Sequence, residues 1–330
     1  MPKVVVTGGS GFIGRHLVPH LQSAGHAVVN VDIAAPPEPN QQVCWCQASI
    51  LDEASLKRVF FEVRPDAVIH LAAHAEMDGR SLADFAANTE GTANVLDAVR
   101  AIGGVGRLVV TSTQHVRRPG SGPATHDEDY APHGLYGESK VVAEKLTRRA
   151  GLPGHWAIIR PTAVWGPHHP HQVEGMWRMM YRRRYIHPLH DPVVRNYGYV
   201  GNVAWQIGRI LALPAEATHA RTLYLGDENM RQLDWVNAFS RALTGRDVRT
   251  IPLWCIQALA VVGDGLRAAG FDFPMYRSRY FNLVTSNPVP VEATLALLGR
   301  GPWTFASGIA ETADWLLKYY CRVVGTGNTP

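Results

Sequence analysis

Val4-Val5-Val6-Thr7 runs directly into Gly8-Gly9-Ser10-Gly11-Phe12-Ile13-Gly14. Few patterns restrict a fold more than an apolar strand that meets a glycine-rich turn and restarts as a helix. The N-terminus of that helix presents unpaired backbone N–H groups to an anion. Bulky side chains at Gly9 and Gly11 would hold those groups away from a pyrophosphate, and Gly14 lets the helix pack close to the first strand. A second apolar run, Ala27-Val28-Val29-Asn30-Val31, ends on Asp32. A GxGxxG that follows a strand, opens a helix and is answered by an acid reads as a dinucleotide site, which outweighs a turn that merely connects two elements. The Asp32 carboxylate accepts hydrogen bonds from a ribose 2′-hydroxyl and repels a 2′-phosphate, so NAD is expected over NADP. Ile33-Ala34-Ala35-Pro36 offers no cation for that phosphate, and Arg15 is the nearest exception.

With 330 residues, 46% apolar and 18% charged, the chain can bury a sizeable core in one large or two closely joined domains. A formal charge of +4 without a lysine-rich tail or basic strip argues against nucleic acid. Cys44, Cys46, Cys255 and Cys321 form no CxxC pair, so reduced thiols in a cytoplasmic protein are expected, without a metal. The chain begins directly with its first strand, so no signal peptide is expected. The segment from Ile251 to Phe271 is apolar but carries Asp264 and Arg267, and its unbroken core is too short to span a bilayer. It reads as a buried or interface helix.

Strand-like runs at Lys3–Val6, Ala27–Asp32, Gln42–Cys46, Ala67–Leu71, Arg107–Thr111 and His155–Arg160 alternate with helical stretches. This is a βαβ series, and the lack of polar alternation in Ala67-Val68-Ile69-His70-Leu71 fits a buried, doubly wound parallel sheet of the α/β class. After Pro161 the composition shifts: His and Arg accumulate from Trp165 to Arg195, broken by Pro167, Pro170, Pro188 and Pro192. We expect a dinucleotide domain over 1–165 with about 196–213, and a smaller mixed α/β substrate lobe over about 166–195 and 214–330. The lobe holds a strand at Thr222–Gly226 and helices near Leu233–Leu243, Leu253–Ala269, Val291–Leu298 and Ala306–Tyr320.

Tyr136-Gly137-Glu138-Ser139-Lys140 opens an expected helix running to about Ala150, and residues four apart share one face. A phenol is a poor base at neutral pH, and a nearby ammonium favours its phenolate. Lys140 supplies that charge and reaches a nicotinamide ribose hydroxyl. Val109-Val110-Thr111-Ser112-Thr113 delivers hydroxyls to the carboxyl end of a strand, although threonine is also simply a good strand former. The basic stretch Met176 to Tyr185 reads equally as a diphosphate clamp or a solvated helix face. His168, His169, His171, His187 and His190 lack acidic or cysteine ligands at a recognised metal spacing.

Over nearly its whole length the chain resembles the extended short-chain dehydrogenase/reductase superfamily, and within it the NAD-dependent epimerase/dehydratase family. TGxxGxxG is matched by Thr7, Gly8, Gly11 and Gly14, HLAA by His70-Leu71-Ala72-Ala73, and NxxGTxNxLxA by Asn88, Gly91, Thr92, Asn94, Leu96 and Ala98. YxxxK is Tyr136 and Lys140, and RPxxVxGP is Arg160-Pro161-Thr162-Ala163-Val164-Trp165-Gly166-Pro167. The resemblance implies a Rossmann-type fold, Tyr136 as acid/base, Lys140 as its electrostatic partner, and Thr113, three residues before Val116, as the orienting hydroxyl. It assigns NAD to Gly8, Gly11, Phe12, Ile13, Gly14, Asp32, Ser49, Ile50, Leu71, Ala72, Ala73, Asn88, Tyr136, Lys140 and Pro161. It assigns a small-molecule substrate, a nucleotide sugar, to His74, Thr113, Gln114, His115, Ala163 and Arg195, with Arg195 at the diphosphate. A homodimer built from helices, including the one carrying Tyr136, is also implied.

Departures narrow the reaction. Family dehydratases place Asp-Glu after the catalytic Thr, whereas this chain has Gln114-His115, which favours epimerisation over 4,6-dehydration. Asn is common in the family at the position of Ala163, and Asp at that of Ser49. His115 is the candidate second acid/base. The rivals are a net dehydrogenase or reductase of a less polar, steroid-like alcohol, and a non-catalytic NAD sensor; the presence of Thr113, Tyr136 and Lys140 together argues against the sensor.

Overall fold

Val4 and Val6 face one way from the first strand and Val5 the other, and this alternation sets the layers of the computed structural model. The structure describes residues 1–325 apart from Asp78, Pro123, Asp191, Asp272 and Pro274. In chain order the first part comprises β1 (Lys3–Thr7), α1 (Phe12–Ser23), β2 (Ala27–Asp32), α2 (Pro39–Gln42), β3 (Trp45–Gln47), α3 (Glu53–Val63) and β4 (Ala67–His70). There follow α4 (Ala86–Ile102), β5 (Arg107–Thr111), α5 (Gly134–Arg149), β6 (His155–Pro161) and β7 (Ala163–Trp165). Beyond these lie α6 (Met176–Tyr181), β8 (Ile186–Leu189), β9 (Val194–Tyr199), α7 (Val200–Ala212), α8 (Ala215–Thr218), β10 (Thr222–Leu225) and β11 (Asn229–Arg231). The chain ends with α9 (Gln232–Thr244), β12 (Arg249–Pro252), α10 (Leu253–Ala268), α11 (Arg277–Val284), α12 (Glu292–Leu298) and α13 (Phe305–Gly325).

Two compact units result. The first takes in residues 1–164, 198–228 and 289–303 and holds a seven-stranded sheet in the order β10-β6-β5-β4-β1-β2-β3, parallel at every pairing. The strand order reverses between β1 and β4, where a doubly wound sheet opens its ligand crevice. Val4 and Val6 pack with Leu17, Val18 and Leu21 of α1 and Val203, Ile207 and Ile210 of α7. Val5 packs on the other face with Leu56 and Phe60 of α3 and Val95 and Val99 of α4. The second unit takes in 165–197, 229–288 and the chain from 304 onward. Its centre is aromatic: the Phe239 ring lies 5.3 Å from Trp165, 5.2 Å from Trp177 and 4.6 Å from Trp235.

Three expectations change. The third strand is Trp45–Gln47, because Gln42 belongs to the short helix α2 that Pro39 starts. The sequence division gave 214–330 to the substrate lobe, but 214–228 and 289–303 fall in the first unit, since β10 pairs with β6 and Val289 and Val291 pack on Tyr224. The basic helix stops at Tyr181, and Arg182 to Arg184 form a turn in which Arg183 has φ +57°.

Candidate active site

The glycine turn is built by close approach. Gly8 adopts φ +75°, and a Cβ there would lie 2.5 Å from the Ala72 amide nitrogen at the end of β4. A Cβ on Gly14 would meet Gly9 Cα at 2.5 Å and the Gly8 carbonyl at 2.6 Å, so Gly14 docks α1 on the turn itself. The reading of Gly9 is corrected: its missing side chain makes room for Asn30, whose Oδ1 would stand 2.4 Å from a Cβ, and not for a ligand. Gly11 is the open one, with only the Gly8 carbonyl, at 3.2 Å, near a Cβ. Asp32 closes the frame as its carboxylate accepts from the amides of Ser10 at 3.0 Å and Ala34 at 3.1 Å. Arg15, the one cation near the turn, is engaged by Glu38 through Nε at 3.0 and 3.2 Å.

These parts surround a cavity of about 390 Å³. Gly8, Gly11, Asp32, Ser49, Ile50, Leu71, Ala72 and Ala73 line it, together with Ser10, Ile33, Ala34, Leu51 and Ala87, which the sequence motifs did not single out. Other expected cofactor residues do not line its wall. Phe12 and Ile13 open α1, where Ile13 packs against the core and the Phe12 ring lies 6.0 Å from His16. Asn88 is buried as a staple: it accepts from the His74 amide at 2.8 Å and donates to the His74 carbonyl and the Ser139 hydroxyl, each at 2.9 Å. Pro161 ends β6 opposite Leu225.

A second cluster begins one residue beyond this wall, at His74 and Asn88. Thr113 caps the short turn Gln114–Val116, where its Oγ1 accepts from the His115 amide at 3.2 Å. The first turn of α5 is pressed against this loop, because a Cβ on Gly137 would stand 2.4 Å from the His115 carbonyl. That contact sets Tyr136 against the loop that carries Thr113. The Tyr136 ring lies 6.1 Å from His115 and 6.2 Å from Phe85, and Phe85 lies 5.2 Å from His74. His133 stacks 5.9 Å behind His115. Burial pushes the Tyr136 phenol above its ordinary value, and the nearby Thr113 hydroxyl opposes the rise.

Lys140 is buried one turn further along α5 and donates to the Thr111 carbonyl at 2.9 Å. Burial lowers its ammonium to about 8 against the pull of Glu144, and the same charge helps burial hold His70 down at about 3. Glu144, at 0% side-chain exposure, is what the sequence motifs missed. Its carboxylate takes a bidentate pair of bonds from Arg160, both 2.8 Å, along with the hydroxyls of Ser112 and Tyr130. The usable signal was its spacing, four residues after Lys140 on the same helix face. In the second unit, burial pushes the Arg195 guanidinium down, opposed by Tyr197 and Tyr185. It donates to the Thr285 carbonyl at 3.2 Å and has no carboxylate within ion-pair distance among the described residues. Ala163 begins β7, half-buried. Among the described residues no group of His, Cys, Asp or Glu could hold a metal ion, and no helix is long and apolar enough to cross a membrane.

The model of the NAD dependent epimerase/dehydratase family matches residues 4–226. The chain belongs to that family. It is therefore an enzyme of the extended short-chain dehydrogenase/reductase type, and its cofactor is NAD. A dTDP-glucose 4,6-dehydratase of Neisseria meningitidis is 34% identical over 198 residues, covering 51% of this chain and 55% of the relative. A 3 beta-hydroxysteroid dehydrogenase/Delta 5-->4-isomerase of Mycobacterium tuberculosis is 37% identical over 180 residues, 50% of this chain and 47% of the relative. The chain thus matches about half the length of these curated relatives. The crystal structure of a UDP-glucose 4-epimerase of Thermus thermophilus in complex with NAD superposes with TM-score 0.72 at 24% identity, over 96% of this chain and 99% of that one. It shares the fold.

Proposed function

We propose that this enzyme epimerises a nucleotide sugar by transient oxidation of a ring hydroxyl. The observation that carries the reading is the Thr113 turn set against Tyr136 by the close approach of Gly137 to the His115 carbonyl, with Gln114 and His115 in the positions that hold an acidic pair in family dehydratases. The cavity fits NAD: Gly11 leaves the helix N-terminus open, and Asp32 offers a carboxylate beside it. In this reading Gly8, Ser10 and Gly11 hold the pyrophosphate, Asp32 a ribose, and Ser49 to Leu51 the adenine edge. NAD, when bound, supplies a hydride acceptor and returns the hydride.

The remaining work belongs to the protein. Thr113 orients the reacting oxygen and Tyr136 takes its proton. The buried phenol rests in its neutral form, so its deprotonation needs help from Lys140, whose ammonium persists at neutral pH. His115 stands ready as a second acid/base against the Tyr136 ring. Arg195, a half-buried cation with no carboxylate within ion-pair distance among the described residues, suits a diphosphate, and in this reading the second unit serves as the substrate lobe. The Tyr136→Phe variant tests the mechanism. Turnover of a UDP- or dTDP-hexose should fall about 10²- to 10⁴-fold while NAD stays bound, and full activity would overturn it.

Net oxidation of a less polar alcohol is the second reading. It is favoured by Ala163 at a position where Asn is common, and by the similarity to the mycobacterial steroid enzyme. Arg195→Ala separates the two: nucleotide-sugar binding should weaken by about 1.5–3 kcal/mol, whereas an apolar substrate would be indifferent.

A further inference from the structure

Arg15 and Glu38 form an ion pair just outside the cofactor cavity, on the side where Asp32 fronts it. Arg15 lies one helical turn beyond Gly11, and its amide donates to the Gly11 carbonyl at 2.9 Å. Glu38 follows four residues after Ala34, which lines the cavity. Ala34 is tied to the glycine turn twice: its carbonyl accepts from Ser10 Oγ at 2.7 Å, and its amide donates to Asp32 at 3.1 Å. The Arg15 guanidinium meets the Glu38 carboxylate as a fork, through Nε at 3.0 and 3.2 Å and through Nη2. Its charge has no local substitute, because Arg15 is the only lysine or arginine from Val4 to Leu56.

The loop between Ala34 and α2 has other ties. Gln41, which is buried, donates from Nε2 to the Arg15 carbonyl at 3.1 Å, and Gln42 donates to the Pro36 carbonyl at 3.2 Å. Glu38 stands at the N-terminus of α2 but makes no side-chain cap hydrogen bond to it, so its carboxylate is given to Arg15 instead. A 2′-phosphate on the adenosine ribose would meet the Asp32 carboxylate directly. An arginine close to that edge is what accommodates such a phosphate in NADP-binding sites of this kind. We infer that Glu38 is a second determinant of cofactor choice: by engaging Arg15 it withholds the one cation able to hold a 2′-phosphate. Asp32 acts on the phosphate by repulsion, whereas Glu38 acts through Arg15 and touches no cofactor. Released from Glu38, the flexible Arg15 side chain needs only new rotamers to turn toward the edge formed by Asp32 and Ala34.

Calorimetric titration of the full-length enzyme with NADP and with NAD, after removal of bound nucleotide, tests this. Glu38→Gln should lower the Kd for NADP severalfold, and by about tenfold where Asp32→Asn has removed the direct repulsion, the scale of one charged hydrogen bond. The Kd for NAD should change less than about twofold, since a ribose hydroxyl does not call on Arg15. Adding Arg15→Met should cancel the gain. Three results would overturn the inference: no gain for NADP in either background, a gain that survives Arg15→Met, or parallel weakening of both cofactors. The second would trace the effect to the lost Glu38 charge alone, and the third would make the pair a clip on the loop. Glu38→Ala repeats the measurement with a second side chain, and circular dichroism checks that each variant is folded. The titrations contain no sugar, so their outcome is independent of the substrate reading.

Discussion

Single residues in this chain do two things at once, and Asp32 is the clearest case. Its carboxylate holds the Ser10 and Ala34 amides and so shapes the glycine turn, while the same group fronts the cavity. Asp32→Ala should lower the preference for NAD over NADP by about tenfold or more, the scale of one charge-assisted hydrogen bond. Paired Kd measurements check this, and unchanged discrimination would remove the role. Arg15 will not rescue NADP binding, because Glu38 engages it. At this scale the motifs were informative: Gly11, Gly14 and Asp32 could be read from spacing, and Gly8 from the family resemblance. Gly9 was misread because its neighbour, Asn30, lies on the adjacent strand, and only strand pairing reveals that contact. Tyr136 and Lys140 were found by their spacing, but their electrostatics were not. The charge that opposes burial at Lys140 is Glu144, and what lowers Tyr136 is Thr113.

At the scale of elements, α5 is locked to the sheet by one ionic contact. Glu144 on α5 and Arg160 on β6 are both buried, and their bidentate pair is extended by Ser112, Tyr130 and Tyr224. A lone charge left in that place is costly. Arg160→Met should lower stability by about 3–5 kcal/mol and displace Lys140, so that turnover falls with it. Chemical denaturation alongside kinetics checks both, and a loss below about 1 kcal/mol would contradict the role. The βαβ order, the approximate bounds of α9, α10, α12 and α13 and the start of α5 were legible, since each rests on local periodicity, whereas α11 was not expected from the sequence. The pair itself was not, because which helix face meets which strand is settled by tertiary packing. The basic stretch after Met176 misled for a related reason: nothing local showed that it would turn at Arg183.

For the whole molecule, buried histidines set the acid limit. Burial holds His70 near 3, and His169 and His187 near 4, all below the ordinary 6.5. The folded protein refuses protons that the unfolded chain accepts, so stability is full above about 6.5 and declines as pH falls toward 4. His70 alone contributes about 1.4 kcal/mol per pH unit over that range. Urea midpoints measured from about pH 7 to 4.5 should fall steadily, and a flat profile would contradict the burial assigned to these rings. Lys140 acts in the same sense in a higher window, with stability rising as pH climbs from about 8 toward 10.5. The two-unit division was only half legible, because the return of 289–303 to the first unit depends on packing against Tyr224 and leaves no mark in composition.

The central claim is a redox cycle that closes on itself. The most direct test follows reduced nicotinamide by its near-ultraviolet absorbance, and the sugar by nuclear magnetic resonance, during turnover of a nucleotide hexose. The account predicts that the epimeric sugar accumulates over many turnovers while no net NADH appears. Stoichiometric NADH with a keto product would contradict it and establish a net dehydrogenase.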